Sequence, residues 1–308
     1  MSTRSVASQV PRVRFHDVRS ADGTRLRAWT NDADGPTVLL CNGLGTNPYT
    51  WPGLLSPDCG IRVISWNHRG VGGSDRPADK DRVTMDDFVD DALAVLDDAG
   101  VESCVVAGWS MGVNVAFELA TLYPERVDGL LAVAGVPGDT FATMLGPFHV
   151  PAPVARKVTV GSAWMMRGVG RALSAVTRRL PWNPVTTTLL RHSGFMMPAA
   201  PNDVVRDAVR EFLTTDVDWY MHLAINASRH PRVSLSRIEV PTTFVSGRWD
   251  VLAGARAMAT ASERMADAEL VELNGSHFLP MEFAGEIRAE LFRLLDRTSA
   301  EQDQAVTE

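Results

Sequence analysis

Short apolar runs alternate with longer amphipathic stretches along most of the chain. Six runs are mostly apolar and do not alternate with polar residues, which is typical of parallel strands that helices cover on both faces. These runs are residues 37–41, 61–66, 103–108, 127–134, 242–246 and 268–273. Two earlier runs, residues 12–18 and 24–29, flank the turn at 20–23 and predict an opening antiparallel hairpin.

Helical periodicity fills several of the intervals between these runs. Residues 84–99 place Phe88, Ala92 and Leu96 on one face before Gly100, and residues 110–123 continue in the same way up to Pro124. The alternating order of strands and helices predicts a doubly wound α/β sheet.

Residues 138–240 interrupt this alternation because they contain no convincing strand pattern. Tryptophan, methionine and phenylalanine are scattered there among prolines. We interpret this segment as a helical cap, or lid, inserted into a core formed by residues 1–137 and 241–297. A second core of about 100 residues is the alternative. Residues 298–308 are polar and acidic, which predicts a flexible tail.

Composition narrows the classes of function. The chain has 308 residues, with 30 Lys and Arg against 37 Asp and Glu, and its net charge of −7 disfavours nucleic-acid binding. Its three cysteines have neither zinc-site spacing nor the density of a disulfide scaffold, which favours a reducing compartment. No leader-like h-region or run of about 18 apolar residues occurs. We therefore expect a cytoplasmic protein with no stable membrane insertion.

The clearest motif is Gly-Trp-Ser-Met-Gly at residues 108–112, between a predicted strand and a predicted helix. A strand-to-helix turn this tight leaves no room for side chains at Gly108 and Gly112 and exposes the hydroxyl of Ser110. The start of the helix also favours negative charge beside that hydroxyl. Ser110 is thus the candidate nucleophile, whereas an ordinary N-cap serine is the plainer alternative.

A serine hydroxyl needs a base to accept its proton and a carboxylate to orient that base. His277 follows the last predicted strand and Asp250 follows the strand at 242–246, so both lie where open α/β sheets place their sites. The chain order Ser110, Asp250, His277 also fits a catalytic triad. Packing or surface roles suit the remaining histidines, which are His16, His68, His149, His192, His222 and His230.

The oxyanion formed during carbonyl attack needs hydrogen-bond donors that are fixed in advance. The backbone N–H of Met111, directly after Ser110, is one candidate. The backbone N–H of Leu44 is the second, because the glycines at 43 and 45 let that loop approach the serine.

With these motifs, residues 20–295 resemble the α/β-hydrolase family. The resemblance rests on five ordered segments: Asn-Gly-Leu-Gly at 42–45, Asn-His-Arg-Gly-Val-Gly-Gly-Ser-Asp at 67–75, Gly-Trp-Ser-Met-Gly at 108–112, Gly-Arg-Trp-Asp at 247–250 and Gly-Ser-His at 275–277. It implies an eight-stranded, mostly parallel sheet, a cap after the sixth strand, a Ser-Asp-His triad and no cofactor. The chain has Asn42 where members often have His, and Asn67 where they have Asp.

Other ligand signals are weak. The glycines of residues 70–75 lack the third glycine of a dinucleotide fingerprint, and no metal-binding motif occurs. The insertion contains a basic cluster that could favour acidic substrates or a membrane surface, although solvated lid surface is the plainer interpretation. Its members are Arg167, Arg171, Arg178, Arg179 and Arg191.

These observations predict a serine hydrolase that cleaves small to medium hydrophobic esters as small-molecule substrates. The family also includes hydrolysis of lactones, peptides and carbon–carbon bonds, and cofactor-free perhydrolysis, which the sequence separates poorly. Its epoxide hydrolases and haloalkane dehalogenases have Asp at the position of Ser110, which argues against those activities. A relative that keeps the triad but only binds a ligand is the remaining alternative, and the sequence leaves the oligomeric state open.

Overall fold

A computed structural model describes the backbone of residues 13–307 and the side chains of residues 13–300. Eight strands form one sheet in the order β1-β2-β4-β3-β5-β6-β7-β8. The strands are β1 Arg14–Arg19, β2 Arg25–Thr30, β3 Thr37–Cys41, β4 Arg62–Trp66, β5 Cys104–Trp109, β6 Val127–Val133, β7 Thr242–Gly247 and β8 Ala268–Leu273. Within the described residues, only the pairs β1/β2 and β2/β4 are antiparallel, which confirms the opening hairpin and the mostly parallel sheet.

Helices cover both faces of the sheet. They are α1 Met85–Asp98, α2 Met111–Leu122, α3 Thr140–Thr143, α4 Ala152–Gly168, α5 Gly170–Thr177, α6 Pro184–Arg191, α7 Asn202–Phe212, α8 Val217–Ala227, α9 Ala255–Ser262, α10 Leu279–Glu282 and α11 Ala284–Thr307. The predicted start of α1 is fixed by a capping box between Thr84 and Asp87.

The apolar core lies on the two faces of the sheet. Phe88, Phe117 and Phe244 belong to a cluster on one face, whereas Trp51 and Leu291 belong to a cluster on the other. Side chains of β3 and β5 enter both clusters, which is why these central strands have continuous apolar runs.

Two sequence predictions require correction. Strand β8 is not buried on both faces: it is an edge strand, and the carboxylates of Glu269 and Glu272 make it suitable for a solvated edge. Residues 298–307, expected to form a flexible tail, instead continue α11, and Thr298 is buried. Alanine, glutamate and glutamine in this stretch are good helix formers, which favours the continuation. Glu308 and residues 1–12 lie outside the described residues.

Between β6 and β7 the described chain is helical and has no strand, as expected for residues 138–240. Helix α8 packs into the main core, since Trp219 and Leu223 belong to the same cluster as Phe88. A separate apolar cluster is small; it consists of Met196, Ala200, Val205, Ala208 and Met281. Helices α4, α5 and α6 therefore lie largely outside any core.

A buried guanidinium joins the opening hairpin to α1. Arg69 is inaccessible to solvent and donates to both carboxylate oxygens of Asp91, at 2.7–3.1 Å, and to Asp22 at 2.6 Å. Burial raises the pKa of Asp91, and the charge of Arg69 opposes that rise. The motif at 67–75 thus contributes an ion-pair network rather than a phosphate-binding loop.

Among the described residues, no helix has both the length and the apolar character needed to span a bilayer.

Candidate active site

The turn between β5 and α2 holds Ser110 in a strained backbone conformation, with φ 56° and ψ −119°. A Cβ atom at Gly108 would lie 2.7 Å from the carbonyl oxygen of Gly112, and one at Gly112 would overlap the carbonyl oxygen of Cys41. Both glycines are therefore required sterically, which agrees with the prediction of a nucleophile elbow.

The structure brings Ser110, His277 and Asp250 together. The Oγ atom of Ser110 lies 2.8 Å from Nε2 of His277, and Nδ1 of His277 lies 2.9 Å from Oδ2 of Asp250. An ionised carboxylate only accepts hydrogen bonds, so Nδ1 carries the proton and Nε2 is left as the acceptor for the serine hydroxyl. His277 can therefore accept a proton from Ser110.

The carboxylate of Asp250 is inaccessible to solvent and is held by backbone donors. Its Oδ1 atom accepts hydrogen bonds from the N–H groups of Leu252 and Ala253, at 2.7 and 2.8 Å. These bonds fix the direction in which Asp250 faces His277.

The side chains of Trp109 and Glu282 hold the loop that carries His277, and the sequence patterns did not indicate a role for either side chain. The indole of Trp109 donates to the carbonyl oxygen of His277 at 2.9 Å. Buried Glu282 accepts from the backbone N–H of Ser276 at 2.8 Å and from its hydroxyl at 2.6 Å. Glu282 also accepts from the N–H of Met197, at 2.7 Å, so it joins this loop to the helical insertion.

The only sequence signal for Glu282 is an acidic residue within the apolar stretch Phe278–Phe283, five positions after His277. A carboxylate in such a stretch requires partners if it is buried. The identity of those partners depends on the fold, because Met197 is 85 positions away.

The two predicted oxyanion donors both line the cavity that contains Ser110 and His277. Within the described part of the chain, neither the N–H of Leu44 nor that of Met111 has a hydrogen-bond acceptor. Gly43 fits closely under Trp109, because a Cβ there would lie 3.1 Å from the indole ring. Asn42 accepts from Trp51 at 3.0 Å and donates to Ser65 at 2.9 Å, so it supports this loop from the core.

The cavity has a volume of about 690 Å³, within the range of sites that accept drug-sized molecules. Apolar side chains from the insertion form much of its wall; they include Phe141, Met144, Leu145, Met166, Leu190, Phe195, Phe212 and Met221. Tyr220 also lines it, and burial raises the pKa of this phenol to about 12, so the group stays neutral.

The other histidines lie away from Ser110. Burial lowers the pKa of His68 to about 4, and its ring packs edge-on against Phe88, with 5.3 Å between ring centroids. His222 contacts the carbonyl oxygen of Lys80 at 2.8 Å. Among residues 13–300, no group of three or more His, Cys, Asp or Glu side chains is arranged to hold a metal ion.

The profile of the alpha/beta hydrolase fold family matches residues 36–284 of this chain. The chain belongs to that family. This membership agrees with the resemblance drawn from the sequence motifs and with the eight-stranded sheet.

Curated relatives of this chain include two epoxide hydrolases of Mycobacterium tuberculosis. Epoxide hydrolase A is 26% identical over 308 residues, a match that spans 89% of this chain and 95% of that protein. Epoxide hydrolase B is 30% identical over 142 residues, which spans 41% of this chain and 39% of that protein.

Solved structures show the same fold at lower identity. An esterase from Exiguobacterium antarcticum superposes with a TM-score of 0.73 at 17% identity, covering 92% of this chain and 100% of that one. An enol-lactonase from Burkholderia xenovorans LB400 superposes with a TM-score of 0.67 at 21% identity, covering 92% and 100% of the two chains. The names of these proteins share hydrolysis and differ in the bond that is cleaved.

Proposed function

We propose that this hydrolase cleaves carboxylic esters through a covalent acyl-serine intermediate. The observation that supports this proposal most strongly is the hydrogen-bonded series from Ser110 through His277 to Asp250. Such a series converts an alcohol, which is a poor nucleophile by itself, into one that reacts with a carbonyl carbon.

In the proposed first step, Oγ of Ser110 attacks the ester carbonyl carbon while Nε2 of His277 takes the hydroxyl proton. Asp250 stabilises the imidazolium that forms, and the carbonyl oxygen becomes an oxyanion that accepts from the N–H groups of Leu44 and Met111. The carbon–oxygen bond to the alcohol then breaks, and the alcohol leaves with the proton from Nε2.

In the second step, water attacks the acyl-serine. His277 takes a proton from that water, and the new tetrahedral intermediate collapses to release the carboxylic acid. The proton on Nε2 returns to Oγ of Ser110, which restores the starting state. Every proton transfer uses the same histidine nitrogen, so no cofactor is needed in this scheme.

The side chain at position 110 favours this chemistry over covalent epoxide hydrolysis. An epoxide opened by a carboxylate gives an ester, and water can attack the carbonyl of that ester to release the product. An epoxide opened by Ser110 would give an ether, which has no carbonyl to attack. The proposal therefore assigns this chain a different substrate class from its relatives named epoxide hydrolases.

We further propose that residues 138–240 act as a cap over the serine. Their side chains line the same cavity as Ser110, and most of those lining side chains are apolar, which suits an ester with a hydrophobic acyl or alcohol group.

Hydrolysis of a series of p-nitrophenyl esters tests the proposal. We expect turnover by the wild-type protein and a fall in kcat of at least about 10⁴-fold for Ser110→Ala. Asp250→Asn keeps an oxygen acceptor for Leu252 and Ala253 but favours the wrong tautomer of His277, so we expect a fall of about 10⁴-fold.

A fluorophosphonate probe supplies an independent measurement. The proposal requires covalent labelling at Ser110 and loss of labelling in His277→Ala. Wild-type turnover by Ser110→Ala, or tight ligand binding by a protein that neither labels nor turns over esters, would contradict it.

A further inference from the structure

The first part of the helical insertion, residues 140–200, has a charge opposite to that of the rest of the chain. Residues 140–200 contain seven of the 30 Lys and Arg residues and none of the 37 Asp and Glu residues. The rest of the chain therefore has 23 basic and 37 acidic residues, a net charge of −14. This difference makes the insertion the region that an anionic surface would attract.

The same segment exposes most of the apolar surface. Eleven of the fifteen exposed large apolar side chains in the described residues lie between Phe148 and Phe195. The other four are scattered over residues 13–137 and 241–297, which we call the core domain. Single exposed apolar residues need no explanation, whereas a concentration of them indicates a surface that another body covers.

One face of α4 combines both properties. With 3.6 residues per turn, seven exposed positions lie within about 120° around the helix axis. We call them the α4 face; they are Val154, Lys157, Val158, Gly161, Trp164, Met165 and Gly168. A Cβ atom at Gly161 or Gly168 would meet no atom within 4 Å, which shows that this face is open.

Cations without acidic partners lie on the α4 face and on or just after α5, the next helix. Lys157, Arg171 and Arg179 are exposed, and none of them forms an ion pair with another residue in the described ranges, whereas Arg156 and Arg178 pair with Asp139 and Asp216. The guanidinium of Arg167 lies 5.4 Å from the centre of the Trp164 ring. An exposed tryptophan beside basic groups is typical of helices that lie in a lipid headgroup region.

The α4 face is continuous with the opening of the catalytic cavity. Thr159, Ala163 and Met166, on the inner side of α4, line that cavity. Val158 both lines the cavity and belongs to the α4 face, where it is 51% exposed. A surface that covers the α4 face would therefore meet the mouth of the cavity.

We propose that the α4 face docks on an anionic lipid bilayer and presents the cavity mouth to it. Charge and apolar surface together select this occupant. The insertion of a second copy would bring seven more cations against this one, and the acidic core domain of a second copy has only four scattered exposed large apolar side chains with which to cover the α4 face. Docking is peripheral: the apolar side chains enter the headgroup region while the cations contact lipid phosphates. Docking itself does not depend on the proposed function. The entry of a membrane-dissolved ester into the cavity from this surface does rest on it.

Vesicle sedimentation with the full-length Ser110→Ala protein tests docking without any turnover. We expect binding to vesicles of phosphatidylcholine mixed with phosphatidylglycerol, weaker binding in high salt, and little binding to pure phosphatidylcholine. Reversing three cations, in Lys157→Glu, Arg171→Glu and Arg179→Glu combined, should weaken binding about 100-fold. Hydrolysis of water-soluble esters by the protein with Ser110 intact reports separately on the proposed function.

A matched triple variant controls for net charge. Arg256, Arg264 and Arg288 are also exposed and form no ion pair within the described part of the chain, but they lie outside the insertion. Their combined replacement by Glu changes the net charge equally and should retain vesicle binding. If both triple variants lose vesicle binding equally, the proposal is overturned, because binding would then depend on the net charge of the protein and not on the insertion.

A second pair of variants tests the apolar contribution. Met165 is 68% exposed on the α4 face and Leu122 is 52% exposed at the end of α2. Met165→Asp should lower vesicle affinity at least about tenfold, and Leu122→Asp should not. The proposal fails if wild-type protein does not bind the anionic vesicles, or if sedimentation without lipid shows a dimer that Met165→Asp separates.

Discussion

The core domain and the helical insertion differ in where they place charged and apolar side chains: the core domain buries many of them, and the insertion exposes many of them. In the core domain, the charged group of Arg69 is buried with Asp91 and Asp22, and large apolar side chains such as Leu39 and Phe117 are fully covered. In the insertion, α4, α5 and α6 expose apolar side chains and cations together. The apolar clusters of the core domain are thus covered, with α8 of the insertion contributing to one of them, whereas α4, α5 and α6 have apolar surface that the described chain does not cover.

The two regions therefore contribute to different properties: the core domain to stability and the insertion to substrate access. The buried pairs and clusters hold the strand ends that position Ser110, Asp250 and His277. The insertion supplies much of the cavity wall, whereas its contributions to the core clusters come from α8 and from the segment that precedes β7, which includes Leu235 and Ile238. Changes in the core domain should therefore alter the free energy of unfolding, and changes on the outer surface of the insertion should not.

The largest effect on stability is expected for Arg69→Leu. This change leaves Asp91 buried without its cation, which should lower the free energy of unfolding by about 3–5 kcal/mol. Denaturant titration measures it. The double variant Arg69→Leu, Asp91→Leu removes the unpaired charge and should recover part of the loss; equal stability of wild-type protein and Arg69→Leu would contradict a stabilising role for the network.

The pH dependence of stability should report on His68. Burial lowers its pKa to about 4 in the folded state, against about 6.5 when unfolded, so the unfolded chain binds more protons between these values. Stability is therefore lost as the pH falls through this window, by about 2 kcal/mol between pH 7 and pH 5. Denaturation of His68→Gln at both pH values should show a smaller loss, and an unchanged loss would exclude His68 as its source.

Substitution of Glu282 tests whether the contact between the core domain and the insertion contributes to catalysis. Glu282→Ala leaves the N–H groups of Ser276 and Met197 without their acceptor and frees the loop of His277. A displacement of His277 by about 1 Å would lower kcat by about 10²-fold, with a smaller change in KM. Glu282→Gln keeps one acceptor oxygen and should give an intermediate kcat. A lower Tm with unchanged kcat in both variants would show that Glu282 supports only the fold.

The sequence was most informative where local chemistry determines structure. The elbow at Ser110 depends on two glycines and a strand-helix junction that are adjacent in the chain, and the capping box of α1 is equally local. The apolar pattern alone assigned β8 to the buried strands, because four apolar residues in six do not show that a strand lies at the edge of the sheet. The contact between Glu282 and Met197 also required the fold, since Met197 lies in a distant segment of the chain.

The smallest change in the free energy of unfolding is expected for Leu189→Ala. Leu189 on α6 is 68% exposed, whereas Leu39 on β3 is fully buried between α-helical layers, so the same truncation removes contacts at only one of them. Leu39→Ala should lower the free energy of unfolding by about 2–5 kcal/mol, and Leu189→Ala should change it by less than about 0.5 kcal/mol. Urea titration of both variants gives the comparison with identical chemistry at each site. A cost above about 1 kcal/mol at Leu189 would mean that α6 packs against another part of the chain in solution, and the division into a closed core and an open insertion would then fail for that helix.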